Sequence, residues 1–312
     1  MSSNGSSPRE LVLDHSLMLM EREEARAVRR VAAAYRQARL EIVNYLLTHA
    51  PSGLAQLSFG QRVEIARRIG LLRAIDERLI QLERELGIAL RDIVSSSTEM
   101  AIDQIQREIA LLPADMRPTV DIFTMIDNRM IEQFIPVGMN DIQLGTRATS
   151  LQLQREIQNG LIQGESFSDL VRRLMAVDAD IATGVSVWRR GQLSIELMIR
   201  RLVITTANAA KNDALRQMNA EGGTQVQRQA IATMSPETTD CCLRVHGQIV
   251  DIDEPFTLTG TPRFADQLMH PSFHWNCRTS IAMYHPIFEQ GGLTTANMRA
   301  NAQIELRRRQ NN

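Results

Sequence analysis

Residues 62–94 read RVEIARRIGLLRAIDERLIQLERELGIALRDIV, and their spacing decides the fold class. Ile65, Ile69, Leu72, Ile75, Leu79, Leu82, Leu86, Leu90 and Ile93 recur at steps of three and four residues, with Glu and Arg on the flanks. That period marks one face of an α-helix. It predicts a helix over residues 58–112, with Gly87 and Ser95-Ser96-Ser97 as kinks or breaks. A seam this long fits an arm of a helical hairpin or coiled coil, and equally two core-facing helices of a bundle.

Upstream, Val28, Val31, Tyr35, Ala38, Ile42 and Tyr45 predict a helix from Leu17 to His49, ended by Pro51-Ser52-Gly53. The polar start MSSNGSSPRE lacks the basic and apolar regions of a signal peptide, and residues 1–15 are expected to form a disordered arm. Residues 16–136 then form a helical hairpin or bundle. Downstream, Pro113, Pro118 and Pro136 leave room for a short helix over 121–134, followed by one over 141–163 that stops at Gly164. Ser166-Phe167-Ser168-Asp169 reads as a capping box, and after Gly191 a long helix should reach Gly222-Gly223. The texture changes over 225–290, where VQRQAIATM, LRVHGQIVDI and RTSIAMY are short β-like runs. A basic helix over 294–309 and a polar tail make up residues 291–312.

Composition agrees with this outline. Among 312 residues aromatics are 4%, while Leu, Ile, Ala, Arg, Glu and Gln dominate, as in helices packed on helices. The expected fold is mainly α with a small α+β C-terminal module: a long helical hairpin, a helical domain, and a short-stranded subdomain bearing Cys and His. A formal net charge of −1 excludes a nucleic-acid coat or a membrane-surface protein on global charge, so any DNA contact needs a local patch. No apolar run approaches the roughly 20 residues that span a bilayer, and no membrane partner is expected. Three cysteines, two of them adjacent, do not make a disulfide framework and suit a reducing compartment.

The residues that carry chemistry cluster late. Thr239-Asp240-Cys241-Cys242-Leu243-Arg244-Val245-His246-Gly247 is followed by His270-Pro271-Ser272-Phe273-His274-Trp275-Asn276-Cys277-Arg278. Cys242 and His246 are four apart and His274 and Cys277 three apart, the layout of a tetrahedral structural zinc site. Cys241 can replace Cys242, and His270 can replace either histidine. The competing reading makes the cysteines small buried apolar residues and the histidines loop side chains.

The pattern D-x-C-C-x-x-x-H-G-Q followed by F-H-W-N-C-R resembles the signature of the Mu F-like phage minor head proteins, a head-morphogenesis family. IQNGLIQGESFSDLVRRLMA and LVITTANAAKNDALRQM are similar to its upstream helices, and the resemblance covers about residues 150–288. It makes residues 137–290 the Mu F-like domain, with the α+β module at 224–290. Cys242, Gly247, His274, Cys277 and Arg278 match the family pattern. The family's first cysteine falls at Thr239, with Cys241 a displaced substitute, and its last falls at Thr279, so a metal site would be degenerate.

The resemblance implies a structural, non-enzymatic protein of the virion, at the capsid interior or portal vertex. Its partners would be the portal protein and other head proteins; the long apolar seam makes residues 16–136 the expected portal-docking region, and the C-terminal arginines make packaged DNA a further expected contact. Arg307-Arg308-Arg309 is the candidate contact to DNA or portal, against the plainer reading of a cationic helix C-terminus. Two rival functions stand beside it. A metal-dependent nuclease or other hydrolase would use His270, His274 and Asn276 or the cysteines with His246. A zinc-stabilised interaction module would use the cluster for folding alone.

Overall fold

A computed structural model describes residues 7–49, 56–68, 70–118, 126–175, 187–221, 224–259, 267–274, 277–290 and 294–310. The chain is mainly helical, with a small antiparallel sheet near its C-terminus, as the periodicity implies. Helix α1 spans Pro8–His49, α2 Phe59–Arg68, α3 Leu71–Ile109, α4 Ile126–Gln163, α5 Phe167–Met175 and α6 Val187–Glu221. Among the described residues no helix is long and apolar enough to cross a membrane.

Several expected boundaries move, each for a physical reason. The helix predicted over 58–112 is two helices, divided at Gly70, whose φ of 62° suits glycine. The division resets the phase: Leu71 is fully buried and Leu72 is 38% exposed, although the seam had placed Leu72 inside. Neither Gly87 nor Ser95–Ser97 interrupts α3, and Ile75, Leu79, Leu82, Leu86, Leu90 and Ile93 are all buried. Helix α4 runs straight through Pro136, joining the two helices expected on either side. A mid-helix proline costs about 3 kcal/mol locally, which the burial of Phe134, Ile142, Leu153 and Ile157 along the same helix outweighs. Gly191 lies inside α6, where a Cβ would come within 2.2 Å of the Thr149 hydroxyl of α4. It is there for close packing. Ser166 caps α5 as expected: its hydroxyl accepts from the Asp169 N–H at 3.1 Å and donates to the Asp169 carboxylate at 2.6 Å.

The chain divides into two compact units, each discontinuous in sequence. One unit gathers Arg26–Arg91 and Pro136–Ile199. Its core includes Tyr35, edge-on to Trp188 with ring centroids 6.5 Å apart, and at its margin the partly buried Asp76 accepts from Ser150 and Gln154. The other gathers Met1–Ala25, Asp92–Ile135 and Arg200–Asn312.

The second of these holds the sheet. Strands β1 (Gln227–Ala232), β2 (Ile249–Val250) and β5 (Thr279–Tyr284) pair antiparallel in the order β2-β1-β5, and β3 (Phe256–Thr257) pairs with β4 (Gln267–Leu268). Short helix α7 (Asp240–Val245) enters between β1 and β2, and α8 (Thr295–Gln310) closes the chain. Alternation along β1 splits its side chains between two cores. Ala230 and Ala232 join Cys241, Cys242, Val245, Phe256, Phe273 and Cys277 on one face. Ile231 and Ala282 meet Leu13 and Met298 on the other. Residues 8–15, expected in a disordered arm, are therefore helical and packed on the sheet. Arg9 is buried there, donating to the Gln229 side chain at 2.6 Å and the Met283 carbonyl at 3.0 Å.

Candidate functional site

Helix α7 starts after Thr239, a residue type that commonly caps a helix with its side chain. Here it makes no cap hydrogen bond. Its hydroxyl is turned inward, 3.1 Å from the Cys241 sulfur and 2.7 Å from His274 Nε2. The same His274 nitrogen lies 2.9 Å from Cys242 Sγ, and Cys242 Sγ lies 3.8 Å from Cys277 Sγ. All three cysteines are free thiols and buried, and His274 is buried with them. The ligand atoms of Cys241, Cys242 and His274 fall within 4.8 Å of one another.

This arrangement keeps three of the four residues that spacing had grouped and rejects one. Cys242 and His274 converge with Cys241, and Cys277 approaches this group through Cys242. His246 does not. Helix α7 ends at Val245, so the i, i+4 register linking Cys242 to a helical position 246 stops one residue short. His246 takes an extended ψ of 127°, and its Nδ1 accepts the Ala232 N–H at 2.9 Å. His270 is likewise elsewhere, its Nδ1 2.8 Å from the Pro271 carbonyl. Asn276, a member of the nuclease-like trio, lies outside the described residues.

Cys241, Cys242 and His274 offer three donors of the kind that hold a structural zinc, with Cys242 and His274 at hydrogen-bond distance from one another. Zinc–sulfur bonds of about 2.3 Å at a tetrahedral centre set two sulfurs about 3.8 Å apart, the spacing of Cys242 and Cys277. Cys241, through its hydrogen bond with Cys242 and burial, is pushed up to about 12 as a free thiol. Burial opposes ionisation of Cys277 as well, but hydrogen bonds from Cys242 and from the Phe273 and Thr279 backbone outweigh it and hold the thiol below its usual range.

Around this centre the fold is pinned by polar groups that spacing rules do not detect. Asn208 of α6 is fully buried, with its Oδ1 accepting the Ile281 N–H at 2.8 Å and its Nδ2 donating to the Thr279 carbonyl at 3.3 Å. It grips β5 through its backbone. Arg228 of β1 is also fully buried, held by Asn212 at 2.8 Å, by the carbonyls of Met269, Asp251 and Glu254, and by the face of Phe256. Arg278 pairs with Glu237 at 3.0 Å and Glu21 at 3.5 Å.

Of the three C-terminal arginines, Arg308 and Arg309 are engaged within the chain. Arg309 donates to the carbonyls of Thr238 and Ser235 and pairs with Glu305 and Asp240, bracing the loop that leads into α7. Arg308 faces Glu305 at 3.7 Å.

Burial pulls the His246 imidazole from 6.5 down to about 4. Between those values the unfolded chain binds a proton that the folded chain refuses. Stability therefore rises with pH across that window and is lost as pH falls through it, by up to about 3 kcal/mol. His246→Asn, whose amide oxygen can accept the Ala232 N–H, is expected to remove this part of the acid sensitivity. Urea midpoints at neutral pH and at pH about 4.5 measure it; an equal acid loss in both proteins would rule the assignment out.

Residues 151–282 match the sequence model of a family described as Phage Mu protein F like protein. No curated protein and no solved structure gives a match.

Proposed function

Since residues 151–282 belong to the Phage Mu protein F like family, we propose that the chain is a minor head protein of a tailed bacteriophage. In this reading it is a structural component of the virion, sits at the portal vertex or capsid interior, and joins the portal and other head proteins during head assembly. The family match carries the reading. The structure supports it in two ways. The Cys/His centre is sealed, with Cys242 0% exposed and His274 6%, which suits bracing a fold better than meeting a substrate. The α1 and α3 segments also leave Leu47 58% and Ile88 65% exposed, apolar surface that a partner would cover.

The test is the composition of the particle. Virions purified from the phage or prophage that encodes the chain should contain it in far fewer copies than the major capsid protein. Deleting it should lower the yield of filled or infectious heads. Particles that assemble and infect normally without it would overturn the reading, as would cleavage of plasmid DNA by the purified protein with magnesium, manganese or zinc.

We further propose that Cys241, Cys242, His274 and Cys277 hold one structural zinc ion. Bound there, zinc would tie the start of α7 to the segment entering β5. No chemical step is assigned to it.

A further inference from the structure

On the side of α7 away from the cysteines, a cleft of about 390 Å³ opens between α7, the β2–β3 segment and α8. We propose that this cleft binds the phosphate backbone of double-stranded DNA. Its polar lining is Arg244, His246, Gln248, Thr257, Thr259, Arg299 and Gln303, with no carboxylate among the lining residues.

What these groups present is donors. Arg244 and Arg299 are exposed, and neither has a carboxylate partner among the described residues. His246, one of the lining residues, has its Nδ1 occupied as an acceptor by the Ala232 N–H, so the neutral ring carries its proton on Nε2. Gln248 uses its amide oxygen to accept the Thr257 N–H at 3.1 Å, leaving its amide N–H groups to donate. Two fixed guanidinium charges and several neutral donors, with no acid to compensate them, make a site for an oxyanion.

The cleft is built rather than incidental. Gly247 has a φ of 77°, and a Cβ there would come within 3.2 Å of the Arg299 side chain and 3.3 Å of Met298. Glycine at this turn lets α8 lie close to the end of α7 and sets Arg299 beside His246. The row then continues: Arg299, Gln303 and Arg307 are four residues apart on α8, and all are exposed. Arg299 and Arg307 stand about 12 Å apart along the helix, too far to share one phosphate. A repeating polyanion fits that row; a lone phosphate ion would use only the cleft. The DNA-contacting arginines are therefore Arg244, Arg299 and Arg307, not the consecutive triplet at the C-terminus.

The proposal needs the full-length chain and two anions. Anisotropy of a short labelled duplex at low salt should show binding that weakens linearly in log salt. The double variant Arg244→Gln/Arg299→Gln, at exposed positions, should weaken binding by at least about tenfold and reduce the salt slope by about 2. Arg73→Gln, in the other unit, should change neither. Nitrogen NMR of His246 Nε2 should shift on adding duplex. Three results would overturn the proposal: no binding of duplex at low salt, unchanged binding by the double variant, or a His246 shift with inorganic phosphate but not with duplex.

Discussion

Purified without chelator under reducing conditions, the protein is expected to carry close to one zinc per chain. Stripping it should lower the melting temperature by about 10 °C or more. A structural zinc contributes its binding free energy to folding, on the order of 10 kcal/mol in the smallest zinc domains. Here the loss is smaller, because Phe256, Phe273, Val245 and Ile281 already form a core around the cysteines. Variants separate the ligand set seen in three dimensions from the one suggested by spacing. Cys242→Ser should reduce zinc to less than about a tenth of an equivalent, since its sulfur contacts both His274 and Cys277. His246→Asn should keep the metal. Thr239→Cys should tighten binding, because Thr239 already points at His274. Metal analysis and chelator competition read all three. Wild-type protein with less than about a tenth of an equivalent and no chelator effect on melting would end the zinc reading.

The contrast between His246 and Cys241 shows where spacing stops informing. Four residues separate Cys242 from His246, and on an uninterrupted helix that places both on one face. Gly247, with a φ of 77° just past the C-cap His246, is the local signal that ends α7 at Val245, and the i, i+4 spacing takes no account of it. Cys241, adjacent to Cys242 in the first turn of α7, reaches the same centre. The fold class was legible for the opposite reason. Leu79, Leu82, Leu86, Leu90 and Ile93 repeat with the helix period, which is a local property, and all five are buried. Gly70 and Pro136 look alike as punctuation, yet only Gly70 divides a helix. The positive φ is a backbone requirement, whereas the proline penalty is a few kcal/mol that packing can exceed.

Buried charge was the least legible feature. Arg9, Glu108, Lys211 and Arg228 look like surface residues, and their partners come from distant segments, as in the contact of Arg9 with Gln229 across 220 residues. A polar N-terminal stretch suggests disorder when its partners are unknown. Once Gln229, Met283 and the ring of Phe288 surround Arg9, the same residues form the opening turn of α1.

The second large effect is expected in this charged core. Glu108 of α3 is fully buried, accepting from Gln104 and from the Met283 N–H of β5, both at 2.5 Å. Lys211 of α6, equally buried, donates to Ser280 Oγ at 2.6 Å. Burial raises the pKa of Glu108 against the pull of Gln104, Met283, Lys211 and Arg9. Burial lowers Lys211 to about 8, with the Glu108 charge resisting. Glu108 thus faces two cations, Lys211 and Arg9, of which Arg9 also faces Glu289, so removing Glu108 should hurt most by leaving Lys211 without a carboxylate. Glu108→Gln is expected to destabilise by about 3–5 kcal/mol at neutral pH, and Lys211→Met by about 1–2, since Arg9 still balances Glu108. The double variant should cost less than the sum, because the uncompensated ammonium is gone.

The pH dependence gives an independent signature. Unfolded Lys211 holds its proton up to about 10.5 and folded Lys211 only to about 8, so the unfolded chain binds more protons between them and stability rises with pH there. Without Glu108 the folded value drops further, and the rise should begin at lower pH and be steeper near neutrality. In the double variant it should vanish. Urea unfolding of the four proteins across neutral to mildly alkaline pH, with hydrogen exchange on the β5 amides, tests the scheme. Additive single effects, or the same pH slope in Glu108→Gln as in wild type, would show that Glu108 and Lys211 are not electrostatically linked.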